Sequence, residues 1–134
     1  MKKKFLYFFQ IFFTILILIP NQSLADSNTI TSDSSTQQTL DGDEEFLTVK
    51  NNSTLDTGAT TKAANIDEAD DVTITVESGS TISANTVAVY GDRSSGMTVT
   101  NTGTIKASGT TAIDAKGTTN ATITNNSGGV ISSN

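Results

Sequence analysis

The chain contains no cysteine, no histidine and no tryptophan, and only one proline. Without cysteine there is no disulfide staple, no thiolate nucleophile and no residue for lipid acylation. Without histidine the usual general base near neutral pH and a common zinc ligand are both missing. Aromatic residues are nearly absent too. Phe5, Tyr7, Phe8, Phe9, Phe12 and Phe13 lie in the first thirteen residues, which leaves Phe46 and Tyr90 for the remainder of the chain. Tyr90 is therefore the one candidate for a carbohydrate-stacking platform. Stability has to come from repetitive hydrogen bonding and aliphatic burial.

The residues that are present begin with a distinctive stretch, Met1 to Ala25. Lys2, Lys3 and Lys4 form a basic start, Phe5 to Ile19 is an apolar run, Pro20 breaks it, and Ser23-Leu24-Ala25 places small residues where a signal peptidase reads. The run is fifteen residues long, short of the ~20 that span a bilayer as a helix. We expect residues 1–25 to be a cleavable signal peptide. Its removal takes three of the eight basic residues and no acid, moving the formal charge from −6 to −9. So acidic a surface repels phosphate backbones, and no nucleic-acid partner is expected.

Residues 26–45 are rich in Ser, Thr, Gln and Asp, with Ile30 and Leu40 as their only large aliphatics, and read as a polar, acidic, disordered leader or partial cap. Asp41-Gly42-Asp43-Glu44-Glu45 raises the question of calcium, yet it lacks the ligand spacing of an EF-hand loop, and no glycine-rich calcium-binding nonapeptide occurs. A solvated acidic linker explains it. Asp67, Glu68, Asp70 and Asp71 read as a turn between repeats, and Asp92-Arg93 as a solvated turn pair. No catalytic, cofactor-binding or metal-binding residue is assigned. Paired carboxylates could serve a polysaccharide-cleaving enzyme, but these acids fall in linkers and turns, so no enzymatic activity is expected.

From residue 46 onward the chain repeats itself. Val72-Thr73-Ile74-Thr75-Val76, Met97-Thr98-Val99-Thr100-Asn101 and Ala121-Thr122-Ile123-Thr124-Asn125 alternate aliphatic with threonine, the period of a strand with one buried face. Aligning Val49, Ile74, Val99 and Ile123 gives spacings of 25, 25 and 24 residues. Leu55, Ile82, Ile105 and Ile131 mark a second strand per repeat, and Val87 with Val89, then Ile113 with Ala115, a third. Turns rich in Gly and Asn separate them. A β-sandwich also uses short alternating strands but does not require this self-similarity. The expected fold is all-β: a right-handed parallel β-helix, or β-solenoid, of 24–25 residues per coil over residues 46–134, with the last coil incomplete. Asn51, Asn101 and Asn125 are candidates for a stacked amide ladder or for exposed turn residues. Thr73 with Thr75, Thr98 with Thr100 and Thr122 with Thr124 should form two outward rows, one continued by Thr48 and the other interrupted by Lys50.

Coils such as Val99-Thr100-Asn101-Thr102-Gly103-Thr104-Ile105-Lys106-Ala107 and Ile123-Thr124-Asn125-Asn126-Ser127-Gly128-Gly129-Val130-Ile131, behind a signal peptide, resemble the N-terminal passenger region of bacterial autotransporters. In that family phrases of the form N-x-G-x-I recur, as in Asn101-Thr102-Gly103-Thr104-Ile105. The resemblance implies export, an outer-membrane barrel translocator encoded downstream as partner, display on the surface of a Gram-negative cell, and a display or adhesion role toward a host or environmental surface ligand. The missing downstream barrel is expected from that resemblance. Three alternatives stand beside it. The Thr-x-Thr rows resemble those of ice-binding β-helices. The stacked coils are similar to functional-amyloid subunits, though Gln37 and Gln38 are the only glutamines after the signal peptide. The coils could also be a non-catalytic piece of a β-helical polysaccharide-acting enzyme.

Overall fold

The computed structural model describes residues 27–58 and 62–134. The segment read as a signal peptide lies outside the described residues. From Ser27 onward the chain is all-β, with no helix among the described residues, and is wound into a parallel β-solenoid of about 4 turns. The first coil holds β1 (Ser27–Ile30) and β2 (Gln38–Leu40); the second holds β3 (Phe46–Val49), β4 (Thr54–Asp56) and β5 (Lys62–Asp67). In the third are β6 (Thr73–Val76), β7 (Thr81–Ala84), β8 (Val87–Asp92) and β9 (Ser94–Ser95). The fourth contains β10 (Thr98–Asn101), β11 (Thr104–Ala107), β12 (Thr111–Asp114) and β13 (Thr118–Thr119), and above it lie β14 (Thr122–Asn125) and β15 (Val130–Ser133).

Each strand pairs in parallel with its equivalent in neighbouring coils. Sheet A runs β1-β3-β6-β10-β14, sheet B β4-β7-β11-β15, sheet C β2-β5-β8-β12, and a short sheet D joins β9 to β13. A parallel ladder sets coils about 4.8 Å apart and stacks like positions into columns. Leu55, Ile82, Ile105 and Ile131 form one such inward column, as the repeat predicts. The first column of sheet A differs from the expectation. Leu47, not Val49, pairs with Ile74, which pairs with Val99 and then Ile123. Val49 instead belongs to a neighbouring column of Ile30, Val49, Val76, Asn101 and Asn125. The cause is the connection between sheets B and C in the second coil, which runs from Asp56 to Lys62, whereas the third coil needs only the step from Ala84 to Val87. A fixed period applied across that longer corner lands two residues late.

Residues 26–45 also differ from the reading as a disordered leader. From Ser27 onward they contribute β1, which pairs with β3, and β2, which pairs with β5, while Ser34 bridges to Leu55 in sheet B. The segment is poor in aliphatics, but Leu40 is fully buried against Ile66, and the ladder satisfies its backbone. Neighbouring coils supply the apolar surface that the segment's own composition lacks.

The core is aliphatic and continuous along the axis. Leu47, Leu55, Ile66, Ile74, Ile82, Val99 and Ile105 are all fully buried. Gly91 pairs with Ile66, and a Cβ there would run into Thr118 Oγ1 and lie 3.2 Å from Met97 Sδ, so those two side chains take the space that a larger residue would need.

Turns also stack. Three of the connections from sheet A to sheet B carry a left-handed residue two positions before the next strand, at Asn52 (φ 58°), Gly79 (φ 79°) and Gly128 (φ 88°). The fourth, Asn101 to Thr104, is shorter and contains only Thr102 and Gly103. Added carbon on Gly103 would run into the carbonyls of Glu77 and Ser80. Here asparagine replaces the valine of the coils below. The buried Asn101 Nδ2 lies 2.8 Å from Asn125 Oδ1, 3.1 Å from the Val130 carbonyl and 3.3 Å from that of Gly103, while Gly103 N–H donates to Asn101 Oδ1 at 3.2 Å. Of the expected ladder, Asn101 and Asn125 stack. Asn51 is an exposed turn residue with φ 61°.

Two substitutions probe the column and the short turn by urea denaturation. Ile82→Ala should cost about 2–5 kcal/mol, as a large-to-small change in a close-packed column does. Asn101→Val extends the apolar column but strands the polar groups of the short turn, and should cost about 1–3 kcal/mol. An Asn101→Val protein as stable as its parent would show that the amide does not support the turn.

Candidate functional site

Because alternate residues of sheet A point inward, the remaining ones form two straight outward rows. One is Thr29, Thr48, Thr75, Thr100 and Thr124, an unbroken line across five strands. The other is Ser27, Phe46, Thr73, Thr98 and Thr122. Lys50 does not interrupt either, contrary to the sequence expectation; it lies beyond β3, where its N–H donates to the Ile30 carbonyl at 3.0 Å. Phe46, 43% exposed, is the one apolar residue in the rows. The shift has the same origin as the Leu47 register. Rungs repeat at about 4.8 Å along the axis, and the rows are about 6.6 Å apart.

Acidic residues gather where sheet C turns through sheet D back into sheet A. The structure gives most of them backbone or ion-pair partners. Asp43 Oδ1 accepts the Asp70 N–H at 2.9 Å, and Asp70 Oδ1 accepts the Ser95 N–H at 2.9 Å, so each carboxylate reaches across to the next coil. Glu44 (φ 61°), Asp71 (φ 57°), Gly96 (φ 76°) and Asn120 (φ 56°) form a left-handed column two residues before each sheet A strand. Among the described residues no group of three or more acids is placed to hold a metal ion.

Arg93 closes this corner. Its Nη2 lies 2.6 Å from Asp67 Oδ1, its Nη1 bonds Glu68 Oε1, and its Nε is 3.4 Å from Asp92 Oδ2. Asp92 and Asp67 are ladder partners, so two like charges stack on adjacent rungs with the guanidinium between them and solvent. The hydrogen bond to Asp67, then the charges of Glu68 and Asp67, hold the guanidinium above its ordinary value.

Tyr90 is not an open platform. Lys62 Nζ sits 3.4 Å from the ring centroid and donates to Asn65 Oδ1 at 3.0 Å, which covers one face of the ring. Sheet B carries a different feature, at its outer edge beside sheet C. There a groove of about 420 Å³ is lined by Asp56, Ser83, Asn85, Lys106 and Ser108 among others. Asp56, Ser83 and Lys106 escaped the sequence reading because they share no residue type. Their signal is positional, since each comes one residue after the inward aliphatic of its coil: Leu55, Ile82 and Ile105.

The Arg93 contacts predict a specific stability profile. A cation held above its ordinary value contributes fully below that value and is lost only as strongly alkaline pH deprotonates it. Arg93→Ala should therefore lower Tm by a degree or two, equally across the neutral range, and the difference should fade in molar salt because the pairs are exposed. A loss that survives high salt would point to packing of the side-chain stem instead. Compared with family models, curated proteins and solved structures, the chain matches none.

Proposed function

We propose that this chain is an exported β-solenoid that acts as a structural display element at a bacterial cell surface, of the kind found in autotransporter passengers, with adhesion as the role of its outer faces. The observation that carries this reading is the axial parallel stack itself. Each added coil lengthens the rod by about 4.8 Å and adds one rung to each outer face. Such a rod spaces and presents side chains. Two sequence features support export: the signal-peptide pattern of residues 1–25 and a cysteine-free chain that needs no oxidative step to fold outside the cytoplasm. In this reading the translocating partner is an outer-membrane barrel, the ligand belongs to a host or environmental surface, and catalysis is not part of the role.

Expression of the full chain in a Gram-negative host tests it. N-terminal sequencing of the exported product should begin at Asp26. Fused ahead of an outer-membrane barrel, the chain should be cleaved when intact cells are treated with protease. Retention in the cytoplasm with Met1 in place would overturn the export reading.

A second reading rests on the unbroken threonine row. Thr29, Thr48, Thr75, Thr100 and Thr124 present methyl and hydroxyl groups on a regular grid, a surface suited to ordering a layer of water against ice. Thermal hysteresis of the purified chain, abolished by Thr100→Tyr in the middle of the row, is the expected result for that function. Growth of ice unaffected by the parent protein excludes it.

A further inference from the structure

The inward position just before each strand of sheet A repeats from coil to coil. Thr73 N–H donates to the Glu45 carbonyl at 2.9 Å, Thr98 N–H to that of Val72 at 2.8 Å and Thr122 N–H to that of Met97 at 2.8 Å, so Glu45, Val72 and Met97 occupy equivalent places. Val72 and Met97 are fully buried. Glu45 is 8% exposed, and its Oε2 has no hydrogen-bond partner. A carboxylate thus stands where the coils above place an apolar side chain. A buried polar atom left unpaired is costly, and in a native structure it calls for an explanation.

The carboxylate lies against the first coil, because a Cβ on Gly42 would come 2.9 Å from Glu45 Oε1. That coil has little apolar surface with which to hold its place. Leu40 is fully buried and Ile30 packs partly buried against the core, but Asn28 is the ladder partner of Leu47 and Gln38 that of Ala64, so two apolar columns end in amides. In sheet B the coil contributes the single bridge of Ser34 to Leu55. The third coil, by contrast, buries Val72, Ile74, Val76, Ile82, Ala88 and Val89 completely.

We propose that residues 27–45 form a releasable cap on the ladder, with Glu45 setting how readily the cap lifts. On lifting, Glu45 Oε2 gains water, which offsets part of the apolar burial lost at Leu40 and Ile30. Val72 and Met97 gain nothing of the kind, so the coils above stay closed. Release also frees the Lys50 N–H, which donates to the Ile30 carbonyl at 3.0 Å, and the Asp56 N–H, which donates to the Ser34 carbonyl at 2.9 Å. The N–H groups of Glu77 and Thr81, bonded to the Val49 and Ser53 carbonyls, keep their partners. The bared edge of β3, β4 and β5 is a row of unpaired backbone groups of the kind that takes up an added strand. The first coil is therefore a guard on that edge.

Native-state hydrogen exchange of the full chain, followed by amide NMR, tests it. Lys50 and Asp56 should share one opening and exchange about tenfold or more faster than Glu77, Thr81 and Thr98, each corrected for its intrinsic rate. Glu45→Met, which copies the residue at the equivalent place in the fourth coil, should slow exchange at Lys50 and Asp56 about tenfold relative to Thr98. Glu45→Val, which copies Val72, should act in the same direction and covers the case in which the longer side chain does not fit. Leu40→Ala should speed exchange at Lys50 and Asp56 and leave Thr98 unchanged. The proposal is overturned if Lys50 and Asp56 exchange no faster than Thr98, or if neither replacement of Glu45 alters their rates relative to Thr98. Equal slowing at Thr98 would assign Glu45 to the stability of the whole stack and overturn it as well.

Discussion

The in-register parallel backbone ladder is the interaction on which everything else in this molecule depends. It runs through sheets and turns alike: Glu77 N–H donates to the Val49 carbonyl at 2.9 Å, Thr98 N–H to Val72 at 2.8 Å, and Thr122 N–H to Met97 at 2.8 Å. Because side chains alternate across a strand, one register fixes both the aliphatic columns inside and the polar rows outside. A slip of one residue would exchange them. A single coil cannot bury its aliphatic face, so each coil is stable only against a neighbour. Nearly all of that stabilisation is long-range in sequence, and each pairing requires closure of a loop of about one coil. Folding of such a topology is expected to be slow compared with that of a helical chain of equal length.

Within that ladder, departures from regularity are confined to corners, and each is compensated locally. The short turn after β10 removes two residues that the other sheet A corners use. Asn101 replaces their backbone groups with its side-chain amide, at a position where Val76 and Val49 are purely apolar. The buried amide is tolerated because Gly103, Asn125 and Val130 all lie within hydrogen-bonding distance of it. At the opposite corner, residues with positive φ recur in register although three of the four are not glycine. Glu44, Asp71 and Asn120 adopt there a conformation that glycine reaches without strain. The adjoining carboxylates of Asp43 and Asp70 tie the corner to the coils above.

Much of this architecture was legible in the sequence where corners are regular. The column Leu55, Ile82, Ile105 and Ile131 has uneven spacings of 27, 23 and 26 residues but is marked by a glycine two to three residues before each isoleucine, and the pairing of Val99 with Ile123 follows from the repeat. Legibility fails beside the long corner from Asp56 to Lys62. Leu47 and Val49 are both aliphatic and both inward, so alternation cannot say which of them meets Ile74; only the number of residues spent in the corner decides. That ambiguity then misplaces the threonine rows, setting Thr48 beside Thr73 and Lys50 beside Thr75, where Phe46 and Thr48 stand. The first coil was illegible for another reason. Ile30 and Leu40 are too few to predict a core on their own, but they complete columns whose other members lie a full coil away. The groove on sheet B carries no compositional pattern, because outward positions are not constrained to repeat.

Irregular corners and free outer positions together explain how a repetitive fold acquires a local surface. The interior accepts aliphatic residues of suitable volume and little else, so variation there is costly. Outward residues leave the ladder untouched, and Asp56, Ser83 and Lys106 differ although the backbone beneath them is the same. Variety of side chains alone would still give a flat face. The connection after β4 breaks the arithmetic of the repeat, because the step from Asp56 to Lys62 spends two residues more than the equivalent step from Ser83 to Val87.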